Sequence, residues 1–375
     1  MKDTLYDELK NRLAGLIVPK RAVVGLDGFI DEILAVVDKR LNGTGYTRIE
    51  TIEDYGNRIL EGSGLSLNLE VVTLAKKIGG NGPIYAGGLK KLGVKTDYIG
   101  AIGVNKVHSI FSELISEDCS ITGVAEPAHT DAYEFRDGKI ITSRLETLNT
   151  LTWEKIQEIV PQGRWVSLME RADIFSLNNW TMIPEMNRIW EHILDEVVPV
   201  MNVDLQNKIA FFDLADPRKR EDKDILDALE LIRRFSSCGF RTMLGLNFKE
   251  SQQIISLVGK NGNMDSLEDS ARCIAEYLNI ECVAVHRTDI ASSVQNGVYT
   301  EAAGPYCKKP RIKTGCGDIF NSGFVFAQAQ GWPQDVCLMM GAMTSGYYVR
   351  NAQTAAIEDI IACCVEGGFS DEYEC

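Results

Sequence analysis

The sequence predicts an α/β protein with a mostly parallel, doubly wound sheet and a second, smaller sheet beside it. Between residues 172 and 285, buried-type strands alternate with helices, which is the pattern of a parallel sheet covered by helices. Polar residues cluster directly after these strands, where open α/β sheets bind ligands. Between residues 33 and 78, strand-like segments follow one another without regular helical crossovers, which favours a separate small sheet.

Composition and charge narrow the function classes. The chain has 375 residues, a hydrophobic fraction of 45% and an aromatic fraction of 8%, which are typical of a globular protein with a sizeable core. A net charge of -14 disfavours nucleic acid and anionic membrane surfaces as partners. Ten cysteines include no C-x-x-C pair and no histidine at zinc spacing, so reduced thiols in a cytoplasmic protein are expected. The polar first residues do not resemble a signal peptide, and no apolar run is long enough to span a bilayer.

The first residues predict a helix followed by the first core strand. Four leucines recur at helical spacing: Leu5, Leu9, Leu13 and Leu16. We expect an amphipathic helix within residues 1–20, as an extension before the core. Residues 21–26 predict a buried strand, and Asp27 and Asp31 follow it where a polar ligand could bind. For Asp27 the simpler explanation, a cap on a turn, is preferred.

Short strands predict a lid over the site. Three of them come early in the chain: residues 33–37, 47–52 and 67–72. A later hairpin pairs residues 132–135 with residues 139–142, and Asp137-Gly138 is a strong signal for its turn. We interpret these strands, drawn from about residues 33–75 and 130–143, as one lid.

A glycine-rich segment, Gly79 to Pro83, precedes a predicted helix at 84–92 and a strand at 94–102. The glycines suit close approach of the backbone to a ligand, and the Asn81 side chain offers both a donor and an acceptor. Tyr85 stands where a dinucleotide fingerprint needs its third glycine, and no Walker Lys-Ser/Thr follows any glycine at the right spacing. A P-loop NTPase and a typical Rossmann dehydrogenase are therefore disfavoured.

The middle of the chain predicts four strands that end in polar residues. The strands are 172–177, 208–212, 242–246 and 281–285, with helices at 186–197, 225–235 and 266–278. The polar residues that follow these strands are Asn178, Asp213, Asn247 with Glu250, and His286 with Arg287. This repeated unit supports the doubly wound sheet.

The segment from Lys313 to Phe324 carries the strongest chemical signal. Two glycines around Cys316 let the backbone bend sharply and expose its N–H groups, and the apolar residues 320–329 predict a buried helix. A glycine-rich turn that leads into a helix N-terminus can bind an anion, and Asp318 could act as a base beside it. The alternative is a tight turn with Asp318 as a helix cap, and these residues alone leave both interpretations open.

Four segments stand in the order of one known family: Gly79 to Gly103, Asp213 to Arg218, Asn247 to Glu250, and Thr314 to Phe324. They resemble, in turn, the N-terminal signature, the acid-Asn-Arg loop, the Asn-x-x-Glu element and the C-terminal signature of the PfkB (ribokinase-like) carbohydrate kinases. The resemblance covers about residues 21–361. We therefore place the core at residues 21–365 and a C-terminal tail at 366–375.

This resemblance implies a three-layer α/β/α sandwich with a β lid, and transfer of the γ-phosphoryl group of ATP to a sugar hydroxyl. Asp318 is then the general base, and the backbone from Gly315 through Cys316 and Gly317 forms the anion hole. The implied substrate-binding residues are Asp31, Gly80, Asn81 and Asn178. The implied nucleotide-binding residues are Asn247, Glu250, Asp213, His286, Arg287 and Thr314, with Glu250 organising Mg²⁺ through water. Lid strands in this family often contribute to dimers, so a homodimer through the lid is expected.

Three departures from the family pattern limit what the resemblance implies. Ile312 and Lys313 stand where many members have an acid and a threonine, which leaves a requirement for a monovalent cation doubtful. Ile84 replaces a usual Asn, so the sugar contacts differ. Residues 286–289 replace the glycine-containing nucleotide loop, so recognition of the phosphoryl donor differs too. The alternatives are a non-catalytic sugar or nucleotide sensor, a nucleoside kinase and, with less support, an NAD(P)-linked enzyme.

Overall fold

The computed structural model describes residues 2–15, 17–115, 119–259 and 266–369, which form two sheets and the helices around them. In chain order the strands are β1 (Arg21–Leu26), β2 (Phe29–Arg40), β3 (Tyr46–Arg48), β4 (Val71–Gly79), β5 (Lys95–Ala101), β6 (Ile121–Ala125), β7 (Ala128–Glu134), β8 (Lys139–Arg144), β9 (Ile174–Leu177), β10 (Ile209–Asp213), β11 (Arg241–Asn247), β12 (Cys282–His286), β13 (Ile290–Gln295) and β14 (Val298–Ala303). The α-helices are α1 (Lys2–Ala14), α2 (Ile52–Glu61), α3 (Asn81–Lys91), α4 (Trp153–Ile159), α5 (Gln162–Arg171), α6 (Met186–His192), α7 (Asp222–Ser237), α8 (Phe248–Val258), α9 (Leu267–Leu278), α10 (Cys316–Ala329), α11 (Gln334–Asn351) and α12 (Ile357–Val365).

The large sheet has nine strands in the order β14-β13-β12-β11-β10-β9-β1-β5-β6. The pairs from β6 to β12 are parallel, and β13 and β14 add an antiparallel edge. The chain starts near the middle at β1, extends to one side through β5 and β6, and then to the other side from β9. This arrangement confirms the predicted doubly wound, mostly parallel sheet.

Helices cover both faces of this sheet, because successive strand side chains point to opposite faces. Val23 and Leu244 belong to an apolar cluster formed with helices α4 to α9. Their neighbours Val24 and Met243 belong to a second cluster formed with α1, α3, α10, α11 and α12. The three-layer α/β/α fold is therefore confirmed, and each layer is joined to the sheet by its own core.

The small sheet is the predicted lid, but its strands have different bounds. Strand β2 pairs with β7 in parallel and with β3 and β4 in antiparallel fashion, and β8 pairs with β7. Strand β4 begins only at Val71 and continues to Gly79, beyond the predicted strand at 67–72. Lys76 and Lys77 interrupt the apolar pattern there, whereas backbone pairing with β2 and a Lys76–Glu32 ion pair maintain the strand.

The lid joins the core through very short connections. Only Asp27 and Gly28 separate β1 of the core from β2 of the lid, and Gly80 alone separates β4 of the lid from α3. Both connections lie at the carboxyl end of β1. Residues at this junction therefore contact the lid and the core at once.

Helix α1 packs against α11 and α12, with Leu9 and Leu13 buried in the apolar cluster that these helices share. Leu16, which was predicted to continue the leucine pattern, lies outside the described residues, as do residues 370–375 of the predicted tail. Strands β6, β13 and β14 and helices α4, α5, α8, α11 and α12 were not predicted. In the described part of the chain, no helix is both long and apolar enough to cross a membrane.

The contact between α3 and α10 depends on a glycine. A Cβ atom at Gly88 would lie 2.6 Å from the Cβ of Ser322, which is fully buried and has no room to move away. We expect Gly88→Ala to lower the free energy of unfolding by about 1–3 kcal/mol through overpacking. This loss would outweigh the preference of a helix for Ala over Gly, which is about 1 kcal/mol.

Gly87→Ala is the matched control, since its Cβ would meet only Leu114 Cδ2 at 3.9 Å. We expect this variant to be as stable as the wild type or slightly more stable. Urea unfolding followed by circular dichroism measures both variants. Equal stabilities would contradict close packing of α3 on α10 at this point.

Candidate active site

A cavity of about 700 Å³ lies at the carboxyl edge of the large sheet, between the ends of β10, β11 and β12 and the start of α10. Its lining includes most of the residues singled out from the sequence: Asn81, Asp213, Asn247, Glu250, His286, Arg287, Gly315, Cys316, Gly317 and Asp318. Four others do not line it: Asp31, Gly80, Asn178 and Thr314. The fold thus brings together segments that are far apart in the sequence.

Helix α10 begins at the cavity wall, and its N-cap residue offers no side chain to cap the first amides. Gly315 precedes the helix with φ 82°, a backbone conformation that favours glycine, and a Cβ there would lie 3.0 Å from Ile84 Cδ1. The first turn closes when the Ile319 N–H donates to the Gly315 carbonyl at 3.0 Å. The N–H groups of residues 316–318 precede this bond and have no carbonyl one turn earlier, so this end of the helix attracts an anion.

Asp318 lies in the first turn of α10 and lines the cavity, although it is only 7% exposed. Among the described residues its Oδ1 atom has no hydrogen-bond partner. Burial raises the pKa of this carboxyl group well above its ordinary value, and the carboxylates of Asp213, Asp27 and Glu250 raise it further. A hydrogen bond from the Asn81 side chain acts in the opposite direction. The carboxyl group therefore has a free oxygen and an increased affinity for protons.

Two more carboxylates, those of Asp213 and Glu250, lie near Asp318. Asp213 accepts hydrogen bonds from Ala215 N at 2.7 Å and from Asn321 Nδ2 at 2.8 Å, and burial raises its pKa to about 6. Glu250 accepts from the backbone N–H of Asn247 at 2.8 Å, in a capping box that begins α8. Burial, together with the charge of Asp213, raises the pKa of Glu250 to about 8. Negative charge is thus in excess at this end of the cavity.

This excess bears on whether the site suits a divalent cation. In the described part of the chain, no three or more His, Cys, Asp or Glu side chains are arranged to hold a metal ion together. Both oxygens of Glu250 already accept hydrogen bonds from Asn247, at 2.8 Å and 2.5 Å. The carboxylates fit Mg²⁺ bound mainly through water and ligand phosphate, which is how this ion commonly binds.

The cavity lining also includes cationic and apolar side chains. His286 packs against Phe320 with ring centroids 4.7 Å apart, and burial lowers its pKa to about 4, so the imidazole is neutral at pH 7. The cationic side chains in the lining are Arg287, Lys308 and Lys313, and the apolar lining includes Ile290, Ala291, Pro305, Ala342 and Val349. Cys316 donates its S–H to the Lys313 carbonyl, and burial raises its pKa, which disfavours a nucleophilic thiolate.

Asp31 lies on the lid beside the same site. On β2 it stands opposite Lys77 of β4 and Thr130 of β7. Burial raises its pKa, whereas Lys77 and a hydrogen bond from Thr130 lower it. Tyr348 is close enough to both Asp318 and Asp31 that the two charges, after burial, raise its pKa to about 12. The lid therefore presents a carboxylate, a cation and a hydroxyl next to the region of Asp318.

The other predicted residues have different roles. Asn178 is 1% exposed, and its Oδ1 accepts from Ser176 Oγ at 2.6 Å, so its predicted contact with a sugar does not agree with its position. The Thr314 carbonyl accepts from Tyr348 Oη at 3.2 Å. Gly80 lies beside a buried carboxylate, that of Asp27, rather than on the cavity wall.

The position of Asp27 differs from the one that the sequence predicts. Asp27 was interpreted as a turn cap, yet its side chain is fully buried and close enough to raise the pKa of Asp318. Its partners are far away in the sequence, so no local pattern could have indicated them. The nearest signal was the pair of acids, Asp27 and Asp31, at the end of the first core strand.

Comparisons with known proteins agree with this geometry. Residues 4–367 match the family model for prokaryotic ketohexokinase. A ketohexokinase of Haloferax volcanii is 23% identical over 374 residues, which cover 99% of this chain and 96% of that protein. Solved structures with the same fold include the ribokinase of Arabidopsis thaliana, complexed with ribose and ATP (TM-score 0.64, 15% identity), and the adenosine kinase of Sinorhizobium meliloti (TM-score 0.64, 14% identity). Each covers 94% of this chain and is itself covered completely.

The family match spans nearly the whole chain, and the structural matches support the fold alone. The resemblance inferred from the motifs is thereby confirmed. The chain belongs to the prokaryotic ketohexokinase family within the PfkB (ribokinase-like) carbohydrate kinases, and it is a sugar kinase, a phosphotransferase with an alcohol group as acceptor.

Proposed function

We propose that this protein transfers the γ-phosphoryl group of ATP to a hydroxyl of a ketohexose, with Asp318 as the general base. The observation that carries the proposal is the position of Asp318. Its carboxyl group is buried and has an oxygen without a hydrogen-bond partner among the described residues, and it lies in the same helical turn as the first amides of α10, which no side chain caps. A base and an anion site are therefore adjacent, as phosphoryl transfer to an alcohol requires.

The chemistry needs little more from Asp318 than its placement. A sugar hydroxyl becomes acidic as its oxygen bonds to phosphorus, so a carboxylate within reach accepts the proton. The N–H groups from Gly315 to Gly317 and Asp318 then stabilise negative charge on the transferred group. These amides are fixed before the reaction by the first turn of α10, which the Ile319 to Gly315 hydrogen bond closes.

The cavity suits a nucleotide with a divalent cation. Arg287, Lys308 and Lys313 offer positive charge to phosphates in a chain whose net charge is -14, and the apolar wall around Ile290 and Val349 suits a base. Mg²⁺, when bound, would neutralise phosphate charge. Asp213 and Glu250 would hold it through water, and Asn247 keeps the Glu250 carboxylate in place.

The ketohexose assignment rests on the family and on the Haloferax volcanii relative. The structure supports a polyol substrate, because Asp31, Lys77 and Thr130 form one polar row across the lid. A nucleoside kinase and a non-catalytic sensor, the alternatives left by the sequence, make different predictions in the assay below.

A homodimer through the lid belongs to the same proposal. The lid region carries several exposed apolar side chains, which in a soluble chain often mark an interaction surface: Leu60, Leu65, Leu67, Val71, Leu74 and Ile141. A copy of the same chain is the partner that the family resemblance implies.

A substrate panel tests the proposed function. We expect ADP release from ATP and Mg²⁺ with ketohexoses, and weaker or no release with aldoses and nucleosides. Asp318→Asn should lower kcat about 10²–10⁴-fold, the usual contribution of a general base. Its thermal unfolding midpoint should be unchanged or higher, because the substitution removes a carboxyl group that burial disfavours in the charged form.

Asp335→Asn is the matched control, since Asp335 lies in the first turn of α11 as Asp318 does in α10, but outside the cavity. It should keep wild-type turnover. Near-normal activity of Asp318→Asn would remove this residue from the role of base. A preference for nucleosides would favour a nucleoside kinase, and no turnover with any acceptor would favour a sensor.

The pH profile provides a second test. Asp318 accepts a proton only when it is deprotonated, and burial raises its pKa. Activity should therefore be lost on acidification at a higher pH than an ordinary carboxylate, with its pKa of about 4, would give. The measurement is kcat/KM for the sugar at saturating nucleotide, with folding checked by circular dichroism at each pH. Full activity down to about pH 4 would contradict a base with a raised pKa.

A further inference from the structure

Asp27 is a carboxylate with no solvent exposure at the junction of core and lid. Its Oδ1 accepts a hydrogen bond from the Gly82 N–H at 2.9 Å, and its Oδ2 accepts from Asn179 Nδ2 at 2.6 Å. The Asn81 N–H lies close enough to the same carboxylate to lower its pKa. Both hydrogen-bond donors come from other elements of the fold, so this side chain connects the end of β1, α3 and the loop after β9.

This carboxylate caps helix α3 from outside the helix. The residue at the N-cap position is Gly80, which has no side chain with which to accept from the first-turn amides. Asp27 accepts from the N–H of the second helical residue, Gly82, in its place. A negative charge at this end of a helix is also favoured by the helix dipole.

The glycines of this loop leave room for the acid. A Cβ at Gly80 would lie 2.6 Å from Asp27 Oδ2, and a Cβ at Gly82 would lie 2.5 Å from Oδ1. From the sequence, these glycines were expected to allow close approach of the backbone to a ligand. In the structure they allow close approach of the backbone to Asp27.

The cap acts on the site through Asn81. Asn81 is the first residue of α3, and its side chain lies close enough to Asp318, across the interface between α3 and α10, to lower the pKa of that carboxyl group. Asp27 fixes the N–H of the next residue, Gly82, while the Asn81 side chain lines the cavity. A shift in the first turn of α3 would therefore move Asn81, which is a neighbour of Asp318.

We propose that Asp27 is a positioning residue for phosphoryl transfer, which caps α3 from the connection after β1 and thereby holds Asn81 beside Asp318. The proposal rests on the proposed role of Asp318. It differs from a purely structural role, in which Asp27 would stabilise the junction but any well-folded replacement would support full turnover.

The cost of keeping an acid here supports a functional role. Burial raises the pKa of Asp27 to about 7 in spite of the hydrogen bonds from Asn179 and Gly82, because a charge is expensive to bury. The groups that face it are Tyr98, whose Oη donates to the Asp27 carbonyl at 2.5 Å, Asn179, the amides of α3, and Asp318. Asn179 itself adopts the left-handed region with φ 60°, and its Oδ1 has no partner among the described residues.

Asp27→Asn is the test variant. It is nearly isosteric, but its amide nitrogen would face an N–H donor in place of an oxygen, so the first turn of α3 must shift. We expect kcat to fall at least tenfold, since a displacement of about 1 Å near reacting groups can cost 10²-fold. The KM for ATP should change less than twofold, because Asp27 does not line the cavity.

Asp97→Asn is the matched control. Asp97 is equally buried on β5, where it pairs with Arg21 and accepts from Ser120, away from the cavity. It should lose stability and keep kcat. Wild-type kcat in a folded Asp27→Asn variant would overturn the proposal, as would a loss of kcat in Asp97→Asn equal to that in Asp27→Asn.

A double-mutant cycle with Asn81→Ala distinguishes action through Asn81 from general damage. If Asp27 acts by placing Asn81, the double variant should have the kcat of Asn81→Ala within about twofold. If the kcat losses of the two single variants multiply in the double variant, the proposal is overturned. Near-normal turnover in Asp318→Asn would instead refute the proposed function, so the two failures can be distinguished.

Asn179→Gly is the replacement test variant if Asp27→Asn does not fold. It removes one donor to Asp27 and keeps the left-handed backbone that position 179 requires. We expect a smaller loss of kcat, about threefold or more, which is again absent in the Asn81→Ala background. An unchanged kcat in folded Asn179→Gly would overturn the proposal.

Discussion

Four largely buried carboxylates at one edge of the central sheet constrain everything around them. Asp27, Asp213, Glu250 and Asp318 come from the connection after β1, from β10 and from the first turns of α8 and α10, and the first three raise the pKa of the fourth. Because buried negative charges are costly, each of the first three has polar donors directed at it: backbone amides and the side chains of Asn179, Asn247 and Asn321. Asp318 keeps a free oxygen instead. A ligand that brings a cation and a phosphate would complete the charge balance. The buried carboxylates, which are costly for the stability of the fold, therefore suit a kinase.

Much of this arrangement could be predicted from local sequence. A glycine-rich turn before an apolar run indicated the start of α10, and polar residues after buried strands indicated the positions of Asp213, Asn247 and His286, because strand ends in a parallel sheet share one edge. The Asn247–Glu250 pair could also have been recognised as a capping box, which is what the structure contains.

The features that local sequence did not indicate depend on contacts between residues far apart in the chain, or on which of two adjacent residues faces the site. Asp27 lies 55 residues from one of its donors and 152 from another, so its role in capping α3 is invisible to local patterns. Asn178 and Asn179 are adjacent, yet the Asn178 side chain accepts a hydrogen bond from Ser176, whereas the Asn179 side chain donates one to Asp27. Which of the two faces Asp27 depends on the residue at which β9 ends. Strand β4 carries two lysines and is maintained by backbone pairing, so periodicity did not indicate its extent.

The central claim is that the amides at the start of α10 and the carboxylate of Asp318 act on the same phosphoryl group and the same alcohol. The most direct measurement is a crystal structure with a ketohexose, Mg²⁺ and a non-hydrolysable ATP analogue. The account predicts one sugar hydroxyl about 2.6–3.2 Å from Asp318, with the terminal phosphate against the N–H groups of residues 315–318. A sugar hydroxyl beyond reach of Asp318, or a terminal phosphate bound away from these amides, would contradict it.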